Sequence, residues 1–185
     1  LKQALLVIDA QQELLDGKKE NEEVYQKEQL IQTINNVIGK AMNLDVPILF
    51  VRDKDVASGE GKGFFVHKDI NVPDDSPVFD KKATNAFYGT DLLEFLRTNE
   101  MKHLVIMGCK TEHCIDSAVR MATVQGFDVT LVKEGHSTTN SKTLNADQII
   151  AHHNEILHGH YNVDHFSIVR SADEDVFKPI HDNYR

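Results

Sequence analysis

Apolar stretches of strand length alternate with amphipathic helical stretches along the chain. That alternation predicts an α/β fold, a doubly wound, mostly parallel sheet with helices on both faces. Three observations carry the prediction. Ala4-Leu5-Leu6-Val7-Ile8 and Leu104-Val105-Ile106-Met107-Gly108 are continuous apolar runs, as in strands covered on both faces. Apolar residues recur at helical spacing over 21–42 and 111–125. There is no run of hairpin signals. With 185 residues, 41% hydrophobic and 26% charged, the chain suits one domain over 1–185 with a substantial core.

Charge and cysteine usage narrow the partners. The net charge of -9 and the lack of a basic cluster interleaved with aromatics argue against nucleic acid and anionic membrane. The apolar run Ala4 to Ile8 is too short to span a bilayer and shows no cleavable signal pattern. Cys109 and Cys114 are not a disulfide framework. Thiols that stay reduced point to the cytoplasm. The partner these features leave is a small-molecule substrate.

The elements follow in order. Ala4 to Ile8 is the first strand, and Asp9 stands at its carboxyl end, where α/β sheets place ligands. Leu14 to Asn21 is polar and reads as a surface loop. Asn21 to Met42 reads as a helix, with Leu30, Ile31, Ile34, Val37, Ile38, Ala41 and Met42 recurring at helical spacing. Pro47 to Val51 is the second strand, followed by Arg52 and Asp53. Lys54 to Lys68 carries Gly59, Gly61 and Gly63 and reads as a mobile loop near the site, with His67 in it as a supporting residue.

Thr90 can cap a short helix through Leu92, Leu93 and Leu96. Leu104 to Gly108 is the third strand. The helix after it, Thr111 to Gln125, has Thr111 as its N-cap and Glu112 and Asp116 early in it. Val129 to Lys133 is the fourth strand, and residues 134–138 form a loop. Leu144 to Leu157 is a further helix, Phe166 to Val169 a last strand, and the tail from Lys178 a surface extension.

The segment Leu104 to Asp116 organises the rest. Its strand, turn and helix start present Cys114 three residues after Thr111, near unpaired backbone N–H groups. That setting favours thiolate over thiol and can bring a cysteine to roughly 3.5–7.5. Asp9, Asp53, the Cys109-to-Cys114 turn and the Glu134 loop all follow strands. In a parallel sheet they share one edge and can converge on one crevice.

These residues resemble the isochorismatase-like cysteine hydrolases over nearly the whole chain. The matching pieces are Leu6 to Gln11, Lys81 four residues before Asn85-Ala86-Phe87-Tyr88-Gly89-Thr90, and Gly108 to Asp116. His136-Ser137-Thr138 and Ile149 to Asn154 match as well. The resemblance implies a Rossmann-like sheet and a catalytic triad of Asp9, Lys81 and Cys114. Lys82 competes with Lys81, and the spacing to Asn85 favours Lys81. It also implies substrate contacts at Gln11, Asn85, Phe87 and Thr111, with Asn85 where serine is usual. The oxyanion hole would come from the backbone N–H groups of Lys110 and Cys114. Related chains place a non-proline cis peptide one residue after the strand-ending glycine, which here is Cys109–Lys110. Homo-oligomers are also implied.

The chemistry these residues support is hydrolysis without a cofactor. Asp9 takes the thiol proton, Lys81 holds the charges, and Cys114 attacks a carbonyl carbon to form an acyl-enzyme. The nicotinamidases, which resemble this chain, carry Asp-x-His and further histidines after the second strand. Here the stretch is Asp53-Lys54-Asp55, so no metal is predicted. His152, His153, His158 and His160 lack the i, i+4 pairing of a helical site. The leading function is therefore cleavage of a C–N bond in a small amide, imide or carbamoyl compound. The alternatives are an isochorismatase-type vinyl ether hydrolase, which needs no cysteine nucleophile, and a catalytically silent binding or thiol-redox module.

Overall fold

The computed structural model describes residues 2–185. Seven strands form one sheet: β1 (Gln3–Ile8), β2 (Ile48–Asp53), β3 (Val78–Lys81), β4 (His103–Cys109), β5 (Asp128–Ser137), β6 (Tyr161–Asn162) and β7 (His165–Arg170). Their spatial order is β3-β2-β1-β4-β5-β7-β6. All neighbours pair in parallel except β6 and β7. Among the described residues six α-helices accompany the sheet: α1 (Gln12–Asp16), α2 (Lys27–Asn43), α3 (Gly61–Phe64), α4 (Leu92–Thr98), α5 (Asp116–Val124) and α6 (Ala146–Ile156).

Alternation along β1 divides the core in two. Leu5 and Val7 pack with Leu30, Ile34, Val37 and Ile38 of α2 on one face. Ala4, Leu6 and Ile8 pack with Leu92 and Leu96 of α4 and Val119 and Ala122 of α5 on the other. Successive strand side chains point to opposite faces, so a strand apolar at every position needs helices on both sides. This is the doubly wound arrangement that the apolar runs predict.

Several elements depart from the sequence reading. Residues 14–21 are not all surface loop, because α1 occupies Gln12–Asp16 and buries Leu15. The helix predicted from Asn21 begins only at Lys27. Asn21 and Gln26 both adopt positive φ (64° and 49°), which interrupts a right-handed helix. Residues 54–68 are not one irregular loop: a turn with left-handed Ala57 and Ser58 leads into α3. Thr90 precedes the N-cap of α4, where its hydroxyl accepts from the Leu92 N–H at 3.4 Å and donates to the Ala86 carbonyl at 2.6 Å.

Val78–Lys81 is a strand, formed by pairing with β2 at the sheet edge. Residues 134–137 are the continuation of β5, since His136 and Ser137 pair with Gly108 and Cys109 after a register shift. The short antiparallel β6 also escaped the sequence reading, as it owes its form to β7. The tail from Lys178 is not simply a surface extension. His181 is buried, and its Nε2 lies 3.0 Å from the Val129 carbonyl as the donor.

Candidate active site

Parallel register brings the site together. Ile8 lies beside Val51 and Gly108, and Asp53 lies beside Lys81. The carboxyl ends of four strands therefore place Asp9, Asp53, Lys81 and the Cys109-to-Cys114 turn at one edge. Gly108 permits the closest approach. Its φ is +130°, and a Cβ there would stand 1.9 Å from the Ile8 carbonyl oxygen. Only a residue without a side chain lets β4 run this close to β1 just before Asp9.

Lys81 is fully buried and lies at the centre of the cluster. Its Nζ is 2.9 Å from Asp9 Oδ2, and it donates to Asp53 Oδ2 at 2.5 Å and to Cys114 Sγ at 3.3 Å. Lys82, one residue on, is exposed. Burial works against the Lys81 ammonium, but Asp9, Asp53 and Cys114 together hold it above the ordinary lysine range. Asp53 joins Asp9 and the cysteine turn in the crevice, as its place at a strand end predicts, and its pairing with Lys81 is what the sequence does not show.

Asp9 is also buried, at 1% exposure, with Oδ2 paired to the Lys81 ammonium and Oδ1 without a hydrogen-bond partner. Burial pushes its carboxyl up to about 6 despite the neighbouring Lys81. The Cys114 thiol corrects the prediction of a ready thiolate. Burial, and then the Asp9 charge, push it up to about 12 against the pull of Lys81. The desolvation of the sulfur outweighs the helix start. At neutral pH the resting pair is thus an ionised Asp9 beside a protonated thiol.

The turn that carries Cys114 is a π-helix, Thr111–Ile115, running directly into α5. Single π turns inside helices are frequent at functional sites. The Cys109–Lys110 peptide before it is cis, as the resemblance implies. Thr111 is not a side-chain cap. Its hydroxyl meets His136 Nδ1 at 2.8 Å, and His136 Nε2 meets Asn154 Oδ1 at 2.8 Å.

The protons in this chain can be assigned. Asn154 Nδ2 donates to the Lys133 carbonyl at 3.2 Å, which turns Oδ1 toward His136. His136 Nε2 must then donate, leaving Nδ1 to accept from Thr111. Burial holds His136 down at about 4, so the ring is neutral at pH 7. β5 and α6 thereby pin the start of the cysteine turn. The sequence reading noticed His136 and Asn154 only as matching segments. Their pairing with Thr111 needed the fold.

The four residues predicted to contact substrate also have partners within the protein. Gln11 is fully buried: its Nε2 donates to the carbonyls of Asp53 and Phe64, and its Oε1 accepts from Asp53 N–H. It fastens the end of β2. Asn85 Oδ1 accepts from the Phe87 N–H at 2.9 Å. Phe87 is buried and stacks on Phe127. Thr111 is held by His136. His67 is buried, with Nε2 3.1 Å from Asp16 Oδ1.

Above Cys114 lies a cavity of about 780 Å³. Asp9, Asp53, Lys110 and Cys114 reach it, and Glu13, Tyr25, Asp55 and Thr139 help form its walls. The ligand atoms of Asp9, Asp53 and Cys114 lie within 4.8 Å of one another, a spacing that could hold a metal ion. The Lys81 ammonium already contacts all three.

Comparison with known proteins agrees with this architecture. YrdC, an uncharacterized isochorismatase family protein of Bacillus subtilis (strain 168), is 28% identical over 135 residues, 72% of each chain. A crystal structure of an isochorismatase family protein is 27% identical with a TM-score of 0.83, covering 92% of this chain and 98% of its own. The N-carbamoylsarcosine amidase of Thermoplasma acidophilum shares the fold at 20% identity and a TM-score of 0.69, covering 94% of this chain and 98% of its own. The Isochorismatase domain matches residues 3–152. On that match, which spans β1 to β5, the chain belongs to the isochorismatase family of hydrolases.

Proposed function

We propose that this protein is a metal-independent cysteine hydrolase. It cleaves a C–N bond of a small amide, imide or carbamoyl compound through an acyl-enzyme on Cys114. The observation that carries the reading is the contact of one buried ammonium, Lys81 Nζ, with both Asp9 and Cys114 Sγ. A base with an available carboxylate stands beside a protonated nucleophile, and a fixed cation serves both.

The steps follow from those charges. Asp9 accepts the Sγ proton as sulfur attacks the carbonyl carbon, so thiolate forms during attack and does not accumulate beforehand. The carbonyl electron pair moves to oxygen, where the backbone N–H groups of Lys110 and Cys114 serve as donors. Collapse of this intermediate breaks the C–N bond, and Asp9 returns its proton to the leaving nitrogen. Water then attacks the thioester while Asp9 takes its proton, and that proton restores the thiol. Lys81 keeps its proton throughout and stabilises the negative charge as it passes from Asp9 to sulfur and back.

Lys81 also supports the metal-free part of the proposal. A cation bound by Asp9, Asp53 and Cys114 would have to displace an ammonium already paired with them. An amidase is among the proteins that use this fold.

The test is ammonia or amine release from a panel of small amides, imides and carbamoyl compounds. Wild type and Cys114→Ala are compared before and after exhaustive chelation. Turnover should require Cys114 and survive chelation. Equal turnover by Cys114→Ala overturns the acyl-enzyme, and loss on chelation with recovery on adding zinc or iron overturns metal independence.

A further inference from the structure

We infer that the cavity above Cys114 selects substrates bearing a positive charge: amides or carbamoyl compounds with an ammonium or quaternary ammonium group. The reaction part of this rests on the cysteine-hydrolase reading. The charge preference rests on the cavity alone.

The floor presents its charges asymmetrically. Asp9 and Asp53 line the cavity, whereas Lys81, which pairs with both, is fully buried behind them. Asp9 is nine-tenths or more enclosed; its Oδ2 pairs with the Lys81 ammonium at 2.9 Å, whereas Oδ1 has no hydrogen-bond partner and can accept from a ligand N–H.

The walls add Glu13, Glu22, Glu23 and Asp55 against Lys18 and Lys110. Only Lys18 is ion-paired; Lys110 keeps its charge, which leaves Glu22, Glu23 and Asp55 against one ammonium. Lys18 lies 3.8 Å from Glu13, and Lys110 Nζ donates to Thr139 Oγ1 at 3.1 Å. Among the described residues no ion pair neutralises Glu22, Glu23 or Asp55.

Tyr25 completes the same wall, with its side chain partly exposed to the cavity. An aromatic face beside carboxylates is a recognition surface for ammonium groups. The wall is anchored: Val24 N–H donates to the Leu15 carbonyl at 3.0 Å and Tyr25 N–H to the Thr138 carbonyl at 2.9 Å. A cleft walled by one sign of charge concentrates ligands of the other sign and repels its own.

The test uses three methanethiosulfonates of similar size. One carries a trimethylammonium-ethyl group, one is neutral, and one carries a sulfonatoethyl group. Each forms a mixed disulfide with a thiol and releases methanesulfinate. The labelling rate at Cys114, assigned by mass spectrometry, is divided by the same reagent's rate with 2-mercaptoethanol. The normalised rate should fall from cationic to neutral to anionic, with about tenfold between the ends at low salt. That ratio should shrink in high salt and in the combined E22Q, E23Q and D55N variant. Lys18→Gln should widen it, which keeps a second variant available if the triple one folds poorly.

An anionic reagent that labels as fast as the cationic one, or faster, overturns the inference. Turnover of matched amides with ammonium and carboxylate tails provides the other arm, and kcat/KM should favour the ammonium tail. Cys114→Ala that kept turnover would remove the proposed reaction and leave the labelling ratio intact. An anionic labelling preference with Cys114-dependent turnover would do the reverse.

Discussion

Gly108→Ala tests how the sheet builds the site. The added Cβ would lie 1.9 Å from the Ile8 carbonyl oxygen and 2.7 Å from its carbon. Ordinary contact begins near 3.4 Å, so β1 and β4 would have to part by about 1.5 Å. The backbone is equally unsuited, since φ at this position is +130°. Strained backbone at a non-glycine residue costs roughly 1–3 kcal/mol, and overpacking a core about the same again. The sum, about 2–6 kcal/mol, is a large part of a typical stability of roughly 5–15 kcal/mol. The displacement falls between Asp9 and the cysteine turn, where about 1 Å of misplacement can reduce rate roughly 100-fold. Urea unfolding reads the first effect, as a midpoint lowered by about 1 M or more. Alkylation of Cys114 by a small electrophile reads the second. Gly39→Ala is the control, because a Cβ there meets nothing within 4 Å and lies inside α2. It should stabilise by about 0.5–1 kcal/mol. A Gly108→Ala protein with wild-type midpoint and wild-type alkylation would refute the claim that close approach of β1 and β4 builds the site.

Three further predictions concern charge and positioning. Lys81→Met should slow alkylation of Cys114 at neutral pH by about tenfold or more, because it removes the cation that favours thiolate. Lys82→Met should leave the rate alone, and the opposite result would identify Lys82 as the partner. Activity should rise with pH through about 6 as Asp9 ionises, and Asp9→Asn, which lacks the base, should stay low at every pH. The stability effect has the opposite sign. Because the folded pKa of Asp9 is raised from 3.8, its contribution is fully present below 3.8 and is lost as pH rises through about 6. Calorimetry of wild type and Asp9→Asn over that window should show the loss only in wild type. His136→Leu should reduce kcat more than it raises KM by releasing Thr111. His136→Asn, which restores an acceptor near Nδ1, should recover part of it, and equal loss in both would leave His136 with a packing role only.

The legible parts of the sequence were those whose pattern repeats within the element. Leu5 and Val7 alternate with Ala4, Leu6 and Ile8, so β1 announced two buried faces before any neighbour was known. The α2 stripe from Leu30 to Ala41 did the same for one face of a helix. The positions of Asp9, Lys81 and Cys114 were accessible from strand ends and from spacing that resembles a family. The short pieces were not. β3, β6 and the far end of β5 are strands because of the backbone that pairs with them, and α1 is marked only by Leu15.

Side-chain roles were harder still. Gln11, Asn85, Phe87 and Thr111 match a motif, and each also has a partner, remote in sequence or in the local turn, that the motif does not reveal. The charge state of Cys114 reversed between sequence and structure for the same reason. A helix start is a local feature and favours thiolate. Burial and the nearby Asp9 carboxylate are tertiary features and favour thiol. Periodicity depends on residues a few positions apart, so one chain displays it. Desolvation and Coulomb interactions depend on every group within several ångströms, and only folding decides which groups those are.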